Sequence, residues 1–374
     1  MKSLYIIYQL KSSKDVKKLR FLHTADLHIG LKYSSGIKEE TRKLLFENQL
    51  KVLKNIVDIS IERKADVLLI AGDLFDSSSV SKELGDRVFK ILGECSIPVL
   101  IACGNHDPKV QGSIYEKCEI PENIYIFKEE VEKYSFDDFD VYGMSFISSH
   151  KTDNSFVNFM AEDSSRINIL LTHGETVKES FYNPVDVSSL SEKGIDYLAL
   201  GHIHKEDGVK KYKNMYYAYS GSPQNLSFKE TEKASVIYGE IDKERGFFEK
   251  ISVFENEFKN IMVDITDSRS NDDIISLIMK EVSKSDISRT LFKVNLQGKI
   301  IDCFIYSRDE IENSLSDKLI HIECEENFGY KYDIELLKSE NSIKGEFVRN
   351  ALLILSDKDE DYINSVIEYG VSHL

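Results

Sequence analysis

The chain of 374 residues lacks the features that mark secreted, membrane-spanning and disordered proteins. Its five cysteines form no closely spaced pair and are odd in number, which indicates reduced thiols rather than a disulfide framework. No uncharged apolar run approaches the roughly 20 residues that a membrane-spanning helix needs. The apolar stretch at residues 1–10 is interrupted by Gln9 and lacks a small-residue cleavage site, so a signal peptide is not expected. These absences predict a soluble cytoplasmic protein with no membrane partner.

Basic residues are outnumbered as well, because 48 Lys and Arg stand against 64 Asp and Glu and give a net charge of -16. Nonspecific affinity for DNA comes mainly from Lys and Arg that neutralise phosphates, so tight DNA binding by this chain alone is not expected. Residues 259–374 carry 14 basic and 23 acidic side chains, which places more than half of the net charge there. The length, with 41% hydrophobic residues and no low-complexity linker, predicts two globular domains.

Five short clusters of polar residues each follow an apolar run. The clusters are Asp26-Leu27-His28, Gly72-Asp73, Gly104-Asn105-His106-Asp107, His173-Gly174 and Gly201-His202-Ile203-His204. The preceding runs are short and rich in Val, Ile and Leu, which indicates strands buried on both faces. In an open α/β sheet the ligand crevice lies beyond the carboxyl ends of the strands. We therefore expect the side chains of all five clusters to converge in one crevice.

The residue types in these clusters limit the chemistry of the site. Imidazole and carboxylate groups, with one side-chain amide and no thiolate, suit manganese, zinc, iron or nickel and fit poorly with a calcium cage or a zinc finger. One carboxylate can give an oxygen to each of two ions. Two ions about 3.5 to 4 Å apart lower the pKa of a shared water and neutralise charge on a phosphoryl group. The pattern therefore predicts a two-metal phosphoesterase that needs no side-chain nucleophile.

The five clusters resemble, in the same order, the calcineurin-like metallophosphoesterase signature D-x-H, G-D, G-N-H-D, H and G-H-x-H over roughly residues 20–240. Within that superfamily the flanking residues look like the SbcD, YhaO and Mre-type DNA repair nuclease branch. The segment Gly72-Asp73-Leu74-Phe75-Asp76 is especially similar to the matching segment of that branch. The sequence departs from the relatives directly after His173, where it reads Gly174-Glu175.

This resemblance implies a role for each residue of the site. It makes seven side chains metal ligands: Asp26, His28 and His204 for one ion, Asn105, His173 and His202 for the other, and Asp73 for both. It makes His106 the catalytic group that stabilises or protonates the leaving oxygen, and an imidazole that titrates near neutral pH suits that role independently. Asp107 either orients His106 or is a turn residue before Pro108. Ser220, Gly221 and Ser222 look like a loop beside the substrate backbone, and a plain tight turn is the competing interpretation.

The order of elements predicts an α/β fold. Strands and helices alternate in the first part of the chain, which is typical of a parallel sheet, and strands dominate residues 122–255. The resemblance implies a second sheet and a four-layer α/β/β/α sandwich. We expect a metallophosphoesterase domain at 20–257, a small α+β capping module at 258–340 and an amphipathic helical tail at 341–374. Ser356 and Asp357 are predicted to cap the last helix.

The leading hypothesis for the function is a manganese-dependent DNA exonuclease or endonuclease that acts in DNA repair and DNA-end processing. It would use two divalent ions, manganese foremost with zinc, iron or nickel as alternatives, on DNA ends or single strands. The resemblance implies an SMC-like coiled-coil ATPase partner, on which the tail could dock, and a possible homodimer. The alternative is a phosphatase or small-molecule phosphodiesterase on the same fold, which suits the acidic charge but gives the C-terminal residues no role. A noncatalytic scaffold is a third hypothesis, and the complete ligand set argues against it.

Overall fold

The structure, a computed structural model, describes residues 18–205, 207–230, 233–302 and 304–374. The stretch at 1–10 considered above and Cys303 lie outside the described residues. The described residues form two compact units, the first from 18–225 and 233–255, the second from 226–230 and the residues after 255. The described cysteines Cys95, Cys103, Cys118 and Cys324 are free, buried thiols. Across these same ranges, no helix has the length and apolar character to cross a membrane.

The first unit is built from two six-stranded sheets. Its strands are β1 (Leu19–Thr24), β2 (Val67–Ile70), β3 (Val99–Ile101), β4 (Ile124–Ile126), β5 (Glu132–Ser135), β6 (Phe139–Gly143), β7 (Ile167–His173), β8 (Tyr197–Gly201), β9 (Lys210–Tyr212), β10 (Met215–Tyr219), β11 (Val236–Ile241) and β12 (Gly246–Ile251). The first sheet has the order β12-β11-β1-β2-β3-β4 and the second β5-β6-β7-β8-β10-β9. The strands β1 to β4 are parallel to one another, as are β6, β7, β8 and β10.

Four helices are described in this unit: α1 (Glu39–Glu62), α2 (Lys82–Gly93), α3 (Ile114–Lys117) and α4 (Val187–Leu190). The helix α2 begins after Ser81, whose hydroxyl accepts the Leu84 N–H at 3.3 Å and so satisfies one of the unpaired donors of the first turn. The helices α1 and α2 connect successive parallel strands, which need a crossover of this kind.

Successive side chains of a strand point to opposite faces of the sheet, and in the first sheet both faces are buried. Leu22 and Leu68 share a hydrophobic cluster with residues of α1 and α2, whereas Phe21 and Leu69 share another with the second sheet. The outer face of the second sheet is covered by a third cluster, to which Leu190 of the short helix α4 belongs. The fold is therefore α/β, with two sheets that pack on each other and place the five clusters at or just after the carboxyl ends of β1, β2, β3, β7 and β8.

The second unit alternates strands and helices along the chain. It contains β13 (Glu257–Asp264), α5 (Asn271–Val282), β14 (Thr290–Ile301), α6 (Arg308–Leu315) and β15 (His321–Lys331). The three strands form one sheet in which both pairings are parallel. Its core joins Val294 and Leu296 of β14 to Ile274 and Ile278 of α5.

The chain ends in α7 (Ile334–Ser339), α8 (Ile343–Ile354) and α9 (Glu360–Ser372), which share a small hydrophobic cluster. Glu368 of α9 forms an ion pair with Lys299 of β14 at 2.5 Å, so the tail contacts the sheet of its own unit. The predicted capping of the last helix by Ser356 and Asp357 is wrong. The helix begins three residues later, and the Asp359 side chain accepts the Tyr362 N–H at 2.9 Å.

Candidate metal centre

Four of the seven predicted ligands adopt backbone conformations that L-residues rarely adopt. Asp26, His28, Asp73 and His202 have φ values of 53°, 46°, 50° and 100°. Positive φ in residues other than glycine is uncommon and gathers at functional sites, where the surrounding structure enforces it. Here the Asp26 N–H donates to Gly72 O and the His28 N–H to Asp73 O, each at 3.0 Å. These hydrogen bonds connect the loop that follows β1 to the loop that follows β2.

A glycine allows the two sheets to approach each other at this edge. A Cβ on Gly201 would lie 1.9 Å from Ala71 O, 2.8 Å from Ala25 Cβ and 2.9 Å from His173 Nδ1. Only a residue without a side chain fits between the ends of β2 and β8. The G-H-x-H cluster therefore begins with glycine for a steric reason, and that contact brings residues from both sheets into one centre.

The first group in the centre joins β1 to the loop after β8. One ligand atom each of Asp26, His28 and His204 lies within 4.8 Å of the others. His28 Nε2 is 3.1 Å from His204 Nε2 and 3.7 Å from Asp73 Oδ2. Two imidazole nitrogens that face each other beside carboxylates are a donor set that a divalent cation fits.

The second group lies around the side-chain amide of Asn105. Its Oδ1 is 3.0 Å from His173 Nε2 and 3.1 Å from His202 Nδ1. His173 Nε2 is also 3.4 Å from Asp73 Oδ2, and Asp26, Asp73 and His173 form a buried set within 4.8 Å. Asp73 thus lies beside both groups, and the structure brings all seven predicted ligands together.

The second ring nitrogen of three imidazoles has a partner outside the centre. His173 Nδ1 is 2.9 Å from Ala71 O, and His28 Nδ1 is 3.3 Å from Asp76 Oδ1. Such outer partners fix the tautomer and the orientation of an imidazole that binds a metal. The third imidazole is that of His202.

The outer partner of His202 is a residue to which the sequence analysis gave no role. His202 Nε2 is 3.1 Å from Glu175 Oε1, and Glu175 Oε2 accepts the Ser180 hydroxyl at 2.5 Å. Glu175 was visible in the sequence only as a departure from the relatives after His173. Its place in the site depends on the path of the loop that follows β7.

Burial and charge perturb the ionisation of the centre. Burial raises the pKa of Asp26. Burial would also raise the pKa of Asp73, but the neighbouring His173 and His28 charges outweigh it and lower that pKa. Burial alone would lower the pKa of His173, but the Asp73 charge raises it to about 9. Burial and the His173 charge lower the pKa of His202. The charges of Asp73 and His173 therefore stabilise each other.

His106 lies on the exposed side of the first group. Its side chain is 46% exposed, and its ring meets the His28 ring edge-on with centroids 4.7 Å apart. The His106 N–H donates to Asp73 Oδ1 at 2.9 Å, and the ring atom Nδ1 is 3.2 Å from Asp76 O. The structure therefore places the predicted catalytic histidine at the solvent side of Asp73.

Asp107 is fully buried and contacts main-chain groups of two loops. Its carboxylate accepts the Gly104 N–H at 2.8 Å, the Phe75 N–H at 3.1 Å and the Tyr115 hydroxyl at 2.5 Å. Burial and the Asp73 charge raise the pKa of Asp107 to about 7. These contacts position the loops that carry Asp73 and Asn105, whereas the ring of the adjacent histidine contacts Asp76 O. A role in orienting His106 stays a prediction.

The hydroxyls of the predicted substrate loop bind main-chain oxygens of the chain itself. Ser220 Oγ donates to Gly221 O at 3.2 Å, and Ser222 Oγ donates to Asp26 O at 3.0 Å. The Ser222 N–H donates to His204 O at 3.0 Å, and Gly221 has a φ of 70°. These contacts favour a tight turn that supports two predicted ligands, and a substrate role for Ser220, Gly221 and Ser222 stays a prediction.

The chain belongs to the calcineurin-like phosphoesterase family, whose sequence model matches residues 19–206. It is thus a metal-dependent phosphoesterase by class, and the groups around Asp73 are its candidate metal ligands.

Among its relatives is an uncharacterized metallophosphoesterase, YhaO, of Bacillus subtilis, 27% identical over 71% of this chain and 68% of the relative. The DNA double-strand break repair protein Mre11 of Saccharolobus solfataricus is 31% identical over 57% of each chain. One of the subunits of the nuclease SbcCD of Staphylococcus saprophyticus is 26% identical over 58% of this chain and 63% of the relative. The chain thus spans less than two thirds of the length of the latter two.

Proposed function

We propose that this chain is a manganese-dependent DNA exonuclease or endonuclease that acts in DNA repair and DNA-end processing. The observation that carries the proposal is the meeting of two carboxylates, one amide and four imidazoles from five strand exits at one centre. The relatives named as a double-strand break repair protein and a nuclease subunit support DNA as the substrate. These relatives are 31% and 26% identical to this chain, so the substrate and the pathway are the parts of the proposal that the cleavage assay tests.

The donor set divides into two groups that would hold two divalent ions. Asp26, His28, Asp73 and His204 would hold one, and Asp73, Asn105, His173 and His202 the other. Nitrogen and oxygen donors without thiolate suit manganese, zinc, iron or nickel, and manganese is proposed first because of the family resemblance. When bound, the ions would lower the pKa of a water and neutralise charge that develops on the phosphoryl oxygens.

The protein's own contribution to the reaction lies in position and proton transfer. The Asp107 carboxylate and the Ser222 hydroxyl hold the loops of the centre in place through hydrogen bonds to Gly104 N–H and Asp26 O. His106 has its Nδ1 beside Asp76 O, and we assign its Nε2 to donate a proton to the leaving oxygen. Loss of a general acid slows a reaction by roughly 10² to 10⁴. His106→Ala should therefore bind metal normally and turn over slowly.

The C-terminal helices carry exposed apolar side chains that fit the proposed SMC-like coiled-coil ATPase. Ile343 and Leu353 of α8 are 76% and 74% exposed, and Tyr369 of α9 is 71% exposed. An amphipathic helix that enters a partner's groove presents such anchors at helical spacing. A partner of this kind would supply the contact with DNA that a net charge of -16 does not favour. A homodimer is a further proposal, based on the resemblance alone.

The proposal is tested by a cleavage panel. The full chain is incubated with manganese and single-stranded, blunt or hairpin DNA, with and without a candidate ATPase, and with bis(p-nitrophenyl) phosphate as a generic diester. We expect DNA cleavage that stops in Asp73→Asn. Turnover of the generic diester with no DNA cut in any arm would instead identify a small-molecule phosphodiesterase. Ile343→Glu should weaken association with the ATPase and leave diester turnover unchanged.

A further inference from the structure

A row of aromatic rings extends from the metal centre to the surface. The Tyr182 ring lies against the His202 ring with centroids 4.6 Å apart and planes 35° apart. The His150 ring stacks on Tyr182 at 5.7 Å and 24°, and Phe181 meets His150 edge-on at 6.3 Å and 88°. These distances lie in the range of aromatic pairs. The first ring of the row therefore contacts a predicted metal ligand, and the last rings lie outside the centre.

The outer end of the row is exposed and apolar. The Phe181 side chain is 66% exposed, and its loop, residues 174–186, also carries Val177, which is 49% exposed. A phenyl ring beside a phosphoesterase centre offers a flat face but no hydrogen-bond donor. The ligand it suits is itself flat and aromatic.

The two loops that carry the row are fixed to the strand that carries His173. Asn183 is fully buried, and its Nδ2 donates to Thr172 Oγ1 at 3.1 Å and to His173 O at 2.9 Å. The Lys151 N–H donates to Phe181 O at 2.7 Å, and the Asn183 N–H donates to Lys151 O at 2.6 Å. The rings are therefore held at a defined position relative to the centre, as a pre-organised binding surface requires.

The same loops carry Lys151 and the exposed Lys178, but also Asp153, Glu175 and the exposed Glu179. The phosphate backbone is therefore left to the metal centre, and the rings contribute the aromatic stacking that proteins use to hold single-stranded nucleic acid.

We propose that His150, Phe181 and Tyr182 form a stacking platform for an unpaired nucleobase of the strand whose phosphodiester lies at the metal centre. This inference rests on the proposed nuclease function. In a duplex each base is already stacked between its neighbours, whereas a base at a single-stranded or frayed end has a free face. The platform therefore selects single-stranded DNA or unpaired ends, with little preference among the four bases, since each has a π face.

The experiment compares Phe181→Ala with Phe247→Ala, because Phe247 is a similarly exposed phenylalanine, 57% exposed, on β12 of the same unit. Each full-length variant is assayed with manganese on a short single-stranded oligonucleotide, the same oligonucleotide with abasic sites next to the cleaved bond, and glycerophosphocholine, a diester without an aromatic ring. Stacking on one base changes affinity by roughly fivefold to a hundredfold. We expect Phe181→Ala to raise KM for the intact oligonucleotide by at least about fivefold. Turnover of the diester and uptake of two manganese ions should be unchanged.

Two further comparisons separate stacking from a structural effect. The KM of the wild-type chain should be higher for the abasic than for the intact oligonucleotide by the same factor. The KM of Phe181→Ala should be the same for both oligonucleotides. Phe181→Trp should restore the wild-type KM, because indole offers a larger stacking face. Equal behaviour of Phe181→Ala and Phe247→Ala on every substrate would overturn the platform.

The remaining outcomes are also decisive. An equal loss on the diester in Phe181→Ala would show that the ring supports the fold of the centre, which overturns the platform. Weakened ATPase association with unchanged oligonucleotide kinetics would identify a protein-docking surface instead. Diester turnover without cleavage of any oligonucleotide by the wild-type chain would overturn the nuclease function and the platform together, whereas DNA cleavage that is indifferent to Phe181 would overturn the platform alone.

Discussion

Replacement of Glu175 tests whether its contact with His202 is part of the metal centre. The carboxylate is held in place from one side by the Ser180 hydroxyl at 2.5 Å, and its other oxygen lies 3.1 Å from His202 Nε2. With Nε2 so occupied, Nδ1 faces the amide oxygen of Asn105 at 3.1 Å. Glu175→Ala removes the acceptor that fixes this tautomer, so the ring can turn and exchange its nitrogens.

The expected magnitude follows from the position of the contact. Loss of an outer hydrogen-bond partner of a metal-binding histidine weakens metal affinity by roughly 10- to 100-fold. That range corresponds to about 1.4 to 2.7 kcal/mol of binding free energy. The loss should fall on the ion held by Asn105, His173 and His202, and the other ion should keep its affinity. Glu175→Gln retains an oxygen acceptor without the charge and should show a smaller loss.

The assay is a titration of metal-free protein with manganese, followed by calorimetry and by the electron paramagnetic resonance of the free ion. Wild type should bind two ions, and Glu175→Ala should bind one of them more weakly. Glu179→Ala is the matched control, because Glu179 lies on the same loop and is exposed. Two unchanged affinities in Glu175→Ala would refute the role given to this contact. Equal weakening of both ions with a lowered melting temperature would show a general loss of structure.

Three further predictions follow from the site. Because the pKa of His173 is about 9 and a metal binds only the neutral ring, the logarithm of manganese affinity should rise by about one per pH unit from neutral pH towards 9. Calorimetry in buffers of different ionisation enthalpy should detect the released proton, and a pH-independent affinity would contradict this. Tyr115→Phe removes one of three donors to the buried Asp107 carboxylate and should lower the free energy of unfolding by about 1 to 3 kcal/mol in urea titrations, and an unchanged value would contradict the contact's importance. Gly201→Ala would place a Cβ 1.9 Å from a main-chain oxygen and should abolish metal uptake, whereas Gly36→Ala, with 3.6 Å to the nearest atom, should bind metal normally.

The sequence allowed good prediction of elements whose hydrophobic pattern matches their burial. The run Val67–Ile70 is apolar throughout and forms a strand buried on both faces. Prediction was poorer where buried residues lie outside a paired strand, or where a paired strand carries exposed residues. The apolar residues Met144 and Phe146 follow the strand Phe139–Gly143, yet they are buried in the loop after it. The strand His321–Lys331 pairs with β14 along its whole length, although its later half includes exposed residues such as Glu326 and Asn327.

The site shows the same division between residue identity and local conformation. The clusters, through their resemblance to the family signature, selected seven side chains that the structure brings together. The outer contacts were not predictable, because they depend on loop paths that no periodicity encodes. Glu175 reaches His202 only because the loop after β7 turns back, and Asn183, with a φ of 51°, fixes that turn. Asp107 follows His106 in sequence, yet its carboxylate points to Gly104 and Phe75.

The loop after β7 carries two functions that the proposed variants can separate. Glu175 contacts one ring nitrogen of His202, and Tyr182 lies against the face of the same ring. If the loop served only to shield the ring from water, variants at Glu175 and Phe181 would weaken metal binding and substrate binding together. If the two contacts act as proposed, Glu175→Ala changes manganese affinity without altering the preference for intact over abasic DNA. Phe181→Ala does the reverse, because its ring contacts His150, which in turn contacts Tyr182.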